Sequence, residues 1–229
     1  MSHKKIELTI LTLLISFSLY CSYTVGATWD EFYHHKNGDS IFKYIFSLGK
    51  REYQSVNFIY HYGLYDFLST FFSKNFSKNY IVEAHHVFNS LFSILSVFGV
   101  YQICKKLFNS KIGKISFIIC FLNPVYFGHF SINPKDTIIA FCYVWILNIS
   151  IKYINCKNLI KKRNNYLIYL ILLLSLGLSI RLTFIVSLLP IFSIIVFELI
   201  YNKSKNNNEI FKFIIDSLII ILFSFIITI

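Results

Sequence analysis

The feature that most constrains this 229-residue chain is a series of apolar runs of near-bilayer length, separated by short basic clusters. Crossing about 30 Å of hydrocarbon takes about 20 helical residues. Residues 6–26 form the first such run, and 86–103, 115–130 and 137–154 read as the second, third and fourth. The stretch 166–200 is too long for one crossing and reads as two, turning near Arg181 and Pro190. A last run extends from 213 to the end. The sum is an all-α polytopic membrane protein with about seven transmembrane helices. Composition agrees. Charged residues make up 14% of the chain against roughly 25% in soluble domains, too few to coat a globule in water. A cleaved signal peptide competes for the first run, since Val25-Gly26-Ala27 is a passable cleavage site. The length of the apolar core favours an uncleaved anchor.

Net charge is +11, a sign that would suit nucleic acid, but the position of the charge argues for membrane topology and against a nucleic-acid partner. Lys105, Lys106, Lys111 and Lys114 follow the second run without an acid among them. Lys157, Lys161, Lys162 and Arg163 follow the fourth, and Lys203, Lys205 and Lys212 precede the last. With the N-terminus in the cytoplasm, all three clusters fall inside. The stretch 27–84 and the turn 131–136 then face outward together. The five cysteines form no CxxC or Cys/His cluster, so neither a disulfide framework nor a zinc site is indicated. No GxGxxG, Walker, GxSxG or HExxH motif is present, which leaves a soluble nucleotide-using enzyme without support.

The outward stretch 27–84 has no spanning run. Lys36, Lys43, Lys50, Arg51, Lys74 and Lys78 balance Asp30, Glu31, Asp39, Glu52, Asp66 and Glu83. Segments 41–48 and 64–73 have helical apolar spacing and predict short amphipathic helices on the membrane surface. Asp30-Glu31 stands just past the first run. It reads either as a helix-start pair, as a general base, or as a ligand for a divalent cation such as Mg or Mn. Asn133-Pro134-Lys135-Asp136 reads as a turn with Asp136 capping the next helix, yet that leaves Lys135 unexplained on the outer side. Arg181 reads as a snorkelling cation or as a guanidinium that clamps a carrier phosphate. His85-His86, where the second run begins, reads first as a structural pair.

The ordered set of these features resembles the GT-C type glycosyltransferases, the group that includes the protein O-mannosyltransferases and the aminoarabinose transferase of lipid A. Thr28-Trp29-Asp30-Glu31 matches the acidic residues that follow the first span in that family. His34 or His35, and then His61-Tyr62-Gly63-Leu64, sit where the family's loop carries histidines. His85-His86-Val87-Phe88-Asn89-Ser90-Leu91-Phe92, ending at Lys105-Lys106-Leu107-Phe108, is similar to its second span. Phe127-Gly128-His129-Phe130-Ser131-Ile132-Asn133-Pro134-Lys135-Asp136 resembles the segment with its second acidic site, and Gly177 to Arg181 a later span with an inward arginine.

The resemblance implies a polyprenyl-phosphate-linked sugar donor and transfer to a lipid, glycan or protein acceptor on the outer face. Asp30 would be the base, supported by Glu31, and Asp136 the second acidic site. His34, His61, Lys135 and Arg181 would contact substrate, the two cations facing phosphate. A divalent cation, Mg or Mn, would sit on Asp30 and Asp136; no other cofactor is implied. The expected organisation is a first transmembrane helix over 1–26, an outer loop over 27–84 and a multi-span bundle over 85–229, in a bacterial inner or plasma membrane. Family members have more spans and often a C-terminal domain, so the chain reads as a piece of a longer protein. The alternative function is a non-enzymatic multi-pass protein: a transporter, flippase or assembly subunit.

Overall fold

The computed structural model describes residues 3–29, 31–51, 63–154, 160–202 and 207–228. Every secondary-structure element among them is helical. Among the described residues, three helices are long and apolar enough to cross a membrane: Lys5–Thr24, Lys78–Leu107 and Pro134–Ile154. Shorter apolar helices cover Asn164–Leu178, Phe184–Phe197 and Ile214–Ile227. The chain divides into two compact units, one of Met1–Ile59 with Asp66–Thr137, the other of Tyr60–Tyr65 with Ile138–Ile229.

The first unit is built on α1 (His3–Thr24) and α4 (Ile81–Leu107). Hydroxyls in α1 return to their own helix: Thr9 donates to the Lys5 carbonyl at 2.9 Å and Thr12 to Leu8 at 2.9 Å. That is how a polar side chain is tolerated where no water can serve it. α4 turns a small and polar face inward, with Asn89, Ser90, Ser93, Ser96 and Gly99 buried. Leu91, Leu95 and Phe98 point outward. This reverses the pattern of a soluble helix, because hydrocarbon supplies no drive to bury leucine and close packing favours small residues. Ser22 of α1 is hydrogen-bonded to Ser90 of α4. Nearer the other end, Ile94 and Val97 pack with Phe117, Phe121 and Phe130, and Leu11, Leu14 and Ile15 close over them.

The expected third span over 115–130 is divided. α5 (Ser110–Phe121) stops, and α6 (Pro124–His129) starts afresh. The reason is local. Pro124 disfavours helix at the residue before it, and the Asn123 side chain accepts from the Tyr126 N–H at 2.9 Å, capping the new helix. The amphipathic helix expected over 41–48 is the end of a longer one, α2 (Glu31–Phe46). It ends with Leu48 at φ 52° and Gly49 at φ 76°, the left-handed turn that closes many helices. α3 (Leu64–Ser73) occupies the expected 64–73. A short 3-10 turn, Lys78–Tyr80, leads into α4, so His85-His86 lie a turn inside that helix.

α7 (Pro134–Ile154) begins in the first unit and carries the chain into the second. There α8 (Ile160–Leu178), α9 (Phe184–Ser187), α10 (Leu189–Asn202) and α11 (Asn207–Thr228) follow. The expected bend in 166–200 falls at 179–183, where the Arg181 N–H reaches the Gly177 carbonyl at 3.1 Å. Gly177 is needed there, since a Cβ would collide with the Phe184 ring. Ile191 and Ile195 pack against Tyr143, Leu147 and Tyr153. The Tyr153 hydroxyl donates to Asp216, a carboxylate only 4% exposed within an apolar helix.

Candidate active site

α2 starts with Glu31, and its buried side brings Glu31, His34 and Gly38 against neighbouring helices. The spacing of three and four residues puts them on one helical face. His86 Nε2–H donates to Glu31 Oε1 at 2.9 Å, and the Thr28 hydroxyl donates to the same oxygen at 2.9 Å. Both members of the His86–Glu31 pair are deeply buried, at 1% and 7% side-chain exposure. A turn further on, His34 Nδ1–H donates to Asp66 Oδ1 at 2.8 Å and Asn37 to Asp66 Oδ2 at 2.7 Å. One face of α2 is therefore clasped twice, to α4 through Glu31 and to α3 through Asp66. His35 completes the contact, its ring lying 3.9 Å from that of His85 between centroids. On the exposed side Asp39 is paired with Lys43 and Lys74.

Burial would push the Glu31 carboxyl up, but the hydrogen bond and charge of His86, with the hydrogen bonds from Thr28, hold it below its ordinary value of 4.5. Asp39 is likewise held low: its partial burial is outweighed by Lys43 and Lys74. A carboxylate kept ionised in this way is suited to holding a helix and poorly suited to taking a proton. His35 is depressed below its ordinary value of 6.5, chiefly by burial. Glu31 and Asp66 pull it up, while His34 and His86 add to the depression.

The sign of the resulting pH dependence is the same for Glu31, Asp39 and His35. Each binds its proton less readily folded than unfolded, so acid favours the unfolded chain. The His35 contribution is intact above 6.5 and erodes as pH falls below it. The Glu31 contribution is intact above 4.5 and is lost as pH falls through its lowered folded value. Thermal unfolding of purified protein between pH 8 and pH 3 is expected to show two successive losses, with His35→Phe shrinking the first. A midpoint unchanged from pH 7 to pH 5 in the unsubstituted chain would contradict this.

The other acidic segment is the turn between α6 and α7. Asn133, rather than Asp136, caps α7: its Oδ1 accepts from the Asp136 N–H at 3.3 Å, and its Nδ2 donates back to Asp136 Oδ2 at 2.8 Å. Asp136 is exposed in the first turn, where the helix dipole favours a carboxylate. Lys135 beside it is half-buried. The turn is held to α4 through Asn89 and Ser93, each donating to the Phe130 carbonyl at 2.9 Å.

Of the residues singled out in the sequence, Glu31, His34, Lys135 and Asp136 thus lie on segments held in the first unit. Arg181 belongs to the second unit, exposed in the 179–183 turn. Asp30 and His61 lie outside the described residues. Among the described residues no group of three or more His, Cys, Asp or Glu is arranged to hold a metal ion. Asp66, His86, Asn89 and Thr137 acquire their places only in the fold. A sequence signal existed for Asn89, a polar residue in an apolar run, which is costly unless bonded.

A family model described as dolichyl-phosphate-mannose-protein mannosyltransferase matches residues 64–228. Together with the apolar helices, that match makes the chain an integral membrane protein of the GT-C glycosyltransferase class. It belongs to the dolichyl-phosphate-mannose-protein mannosyltransferase family. The matched stretch holds α4 and the Asp136 turn, while α1 and α2 precede it. No curated protein and no solved structure matches the chain.

Proposed function

We propose that this chain transfers a sugar from a polyprenyl-phosphate-linked donor to a lipid, glycan or protein acceptor on the outer face of the membrane. The observation that carries the reading is that a single turn of α4 holds both acidic segments. His86 bonds Glu31, next to Asp30, and Asn89, three residues on, bonds the turn that presents Asp136. Residues three apart on a helix have Cβ atoms about 5–6 Å from one another. Family membership supports the chemistry.

The reaction is a single displacement with inversion at C1. The acceptor hydroxyl attacks C1 of the sugar, Asp30 takes the hydroxyl proton, and the bond from C1 to the phosphate oxygen breaks as the carrier phosphate leaves. Glu31, ionised and bonded to His86 and Thr28, fixes the segment next to Asp30. His34 contributes by locking α2 to Asp66. Lys135 balances phosphate charge, and His61 contacts the donor. The topology that goes with this has a cytoplasmic N-terminus, an outward loop over 27–84 and about seven crossings, in a bacterial inner or plasma membrane.

The test is sugar transfer from polyprenyl-phosphate-mannose in isolated membranes, normalised to protein amount. Asp30→Asn is expected to lower the rate by about 10²–10⁴-fold, the range for a missing general base. Asp136→Asn is expected to lower it by less. Undiminished rates in both variants would remove the proposal.

A further inference from the structure

We propose that Asn89 is a positioning residue, holding the α6–α7 turn on α4 so that the Asp136 carboxylate is presented at a fixed place. This rests on the reading of Asp136 as the second acidic residue of the transferase.

The need for Asn89 begins with Pro134. In a continuous helix the Phe130 carbonyl would accept from the N–H four residues on, and that residue is Pro134, which has none. The chain turns there, and the carbonyl is left pointing at α4. Phe130 is 2% exposed, so water is a poor substitute. Asn89 Nδ2–H and Ser93 Oγ–H both donate to this oxygen at 2.9 Å. Because a carbonyl only accepts, the Asn89 amide is oriented by chemistry, with Oδ1 on the other side. Oδ1 meets the Thr137 hydroxyl at 3.1 Å. That hydroxyl lies 2.7 Å from the Asn133 carbonyl and shares its proton between the two oxygens. Asn133 in turn grips Asp136 by side chain and backbone.

An unbroken path of hydrogen bonds therefore runs from Asn89 to the Asp136 carboxylate through Thr137 and Asn133. Asn89 is 1% exposed and Thr137 fully buried, so each bond is made in surroundings that penalise its loss. Serine at 93 satisfies the carbonyl but does not reach Thr137. Asparagine does both, which explains why an amide is placed in the middle of an apolar run. His86 sits on the same face one turn earlier.

The experiment is a double-mutant cycle read as kcat and donor KM for transfer from polyprenyl-phosphate-mannose. Asn89→Ala is expected to lower kcat about tenfold to a hundredfold, the scale of a displaced catalytic group, with KM little changed. In an Asp136→Glu background, where the carboxylate is already displaced, the same substitution should add little. Thr137→Val should reproduce the kcat loss and Thr137→Ser should not, which keeps the question answerable if Asn89→Ala fails to accumulate. Equal losses in both Asp136 backgrounds, or no loss in Asn89→Ala and Thr137→Val, would overturn the proposal. Wild-type rates in Asp136→Asn and Asp136→Glu would instead overturn the role of Asp136 itself, and the inference with it.

Discussion

His86→Leu is expected to lower stability by about 3–5 kcal/mol, the cost of leaving a buried carboxylate without its partner. Leucine fits the space but offers Glu31 nothing. The carboxylate keeps only its hydrogen bonds from Thr28, while Oε2 already lacks a hydrogen-bond partner among the described residues. For a chain of this size the midpoint of thermal unfolding should fall by about 6–20 °C. Fluorescence-detected unfolding of the purified protein measures it. The double variant Glu31→Leu, His86→Leu should regain much of the loss, because the uncompensated charge is gone. A single variant as stable as the unsubstituted chain would mean that the pair does not hold α2 on α4.

Gly38→Val should be nearly as damaging, by a different route. The α2 backbone at Gly38 lies so close to α3 that an added Cβ would overlap both the Thr70 hydroxyl and the Asp66 main-chain carbonyl. A hydroxyl can rotate away, whereas a helix backbone moves only as a unit. α3 would have to withdraw, and Asp66 with it, which loosens the bonds from His34 and Asn37. Overpacking of this kind costs about 1–3 kcal/mol and occasionally more. The upper end is expected here, a fall of about 6–12 °C. Gly38→Ala should show a smaller fall of the same sign. Variants with unchanged midpoints would place α3 elsewhere relative to α2.

The fold and the candidate site were legible to different depths. The helices of α1, α4 and α7 follow from runs of apolar residues long enough to pair their own backbone in hydrocarbon. The bend around Arg181 was also visible, because 166–200 exceeds one crossing. Pro124 breaks the apolar stretch 115–130, where Asn123-Pro124 carries the same turn signal as Asn133-Pro134 but is masked by apolar neighbours on both sides. The start of α2 at Glu31 was hidden because Glu31, His34 and Asn37 are polar, and a helix whose buried side is polar shows no apolar period.

What the sequence determined by itself is the chain's solvent, its helical class and the existence of two acidic segments, all properties of residues near one another along the chain. Tertiary structure alone decided the partners: His86 for Glu31, 55 residues apart, Asp66 for His34, 32 apart, and Asn89 for Thr137, 48 apart. The physical reason is that hydropathy is additive along a segment, whereas a hydrogen bond is made only where packing brings a donor to an acceptor within about 3 Å.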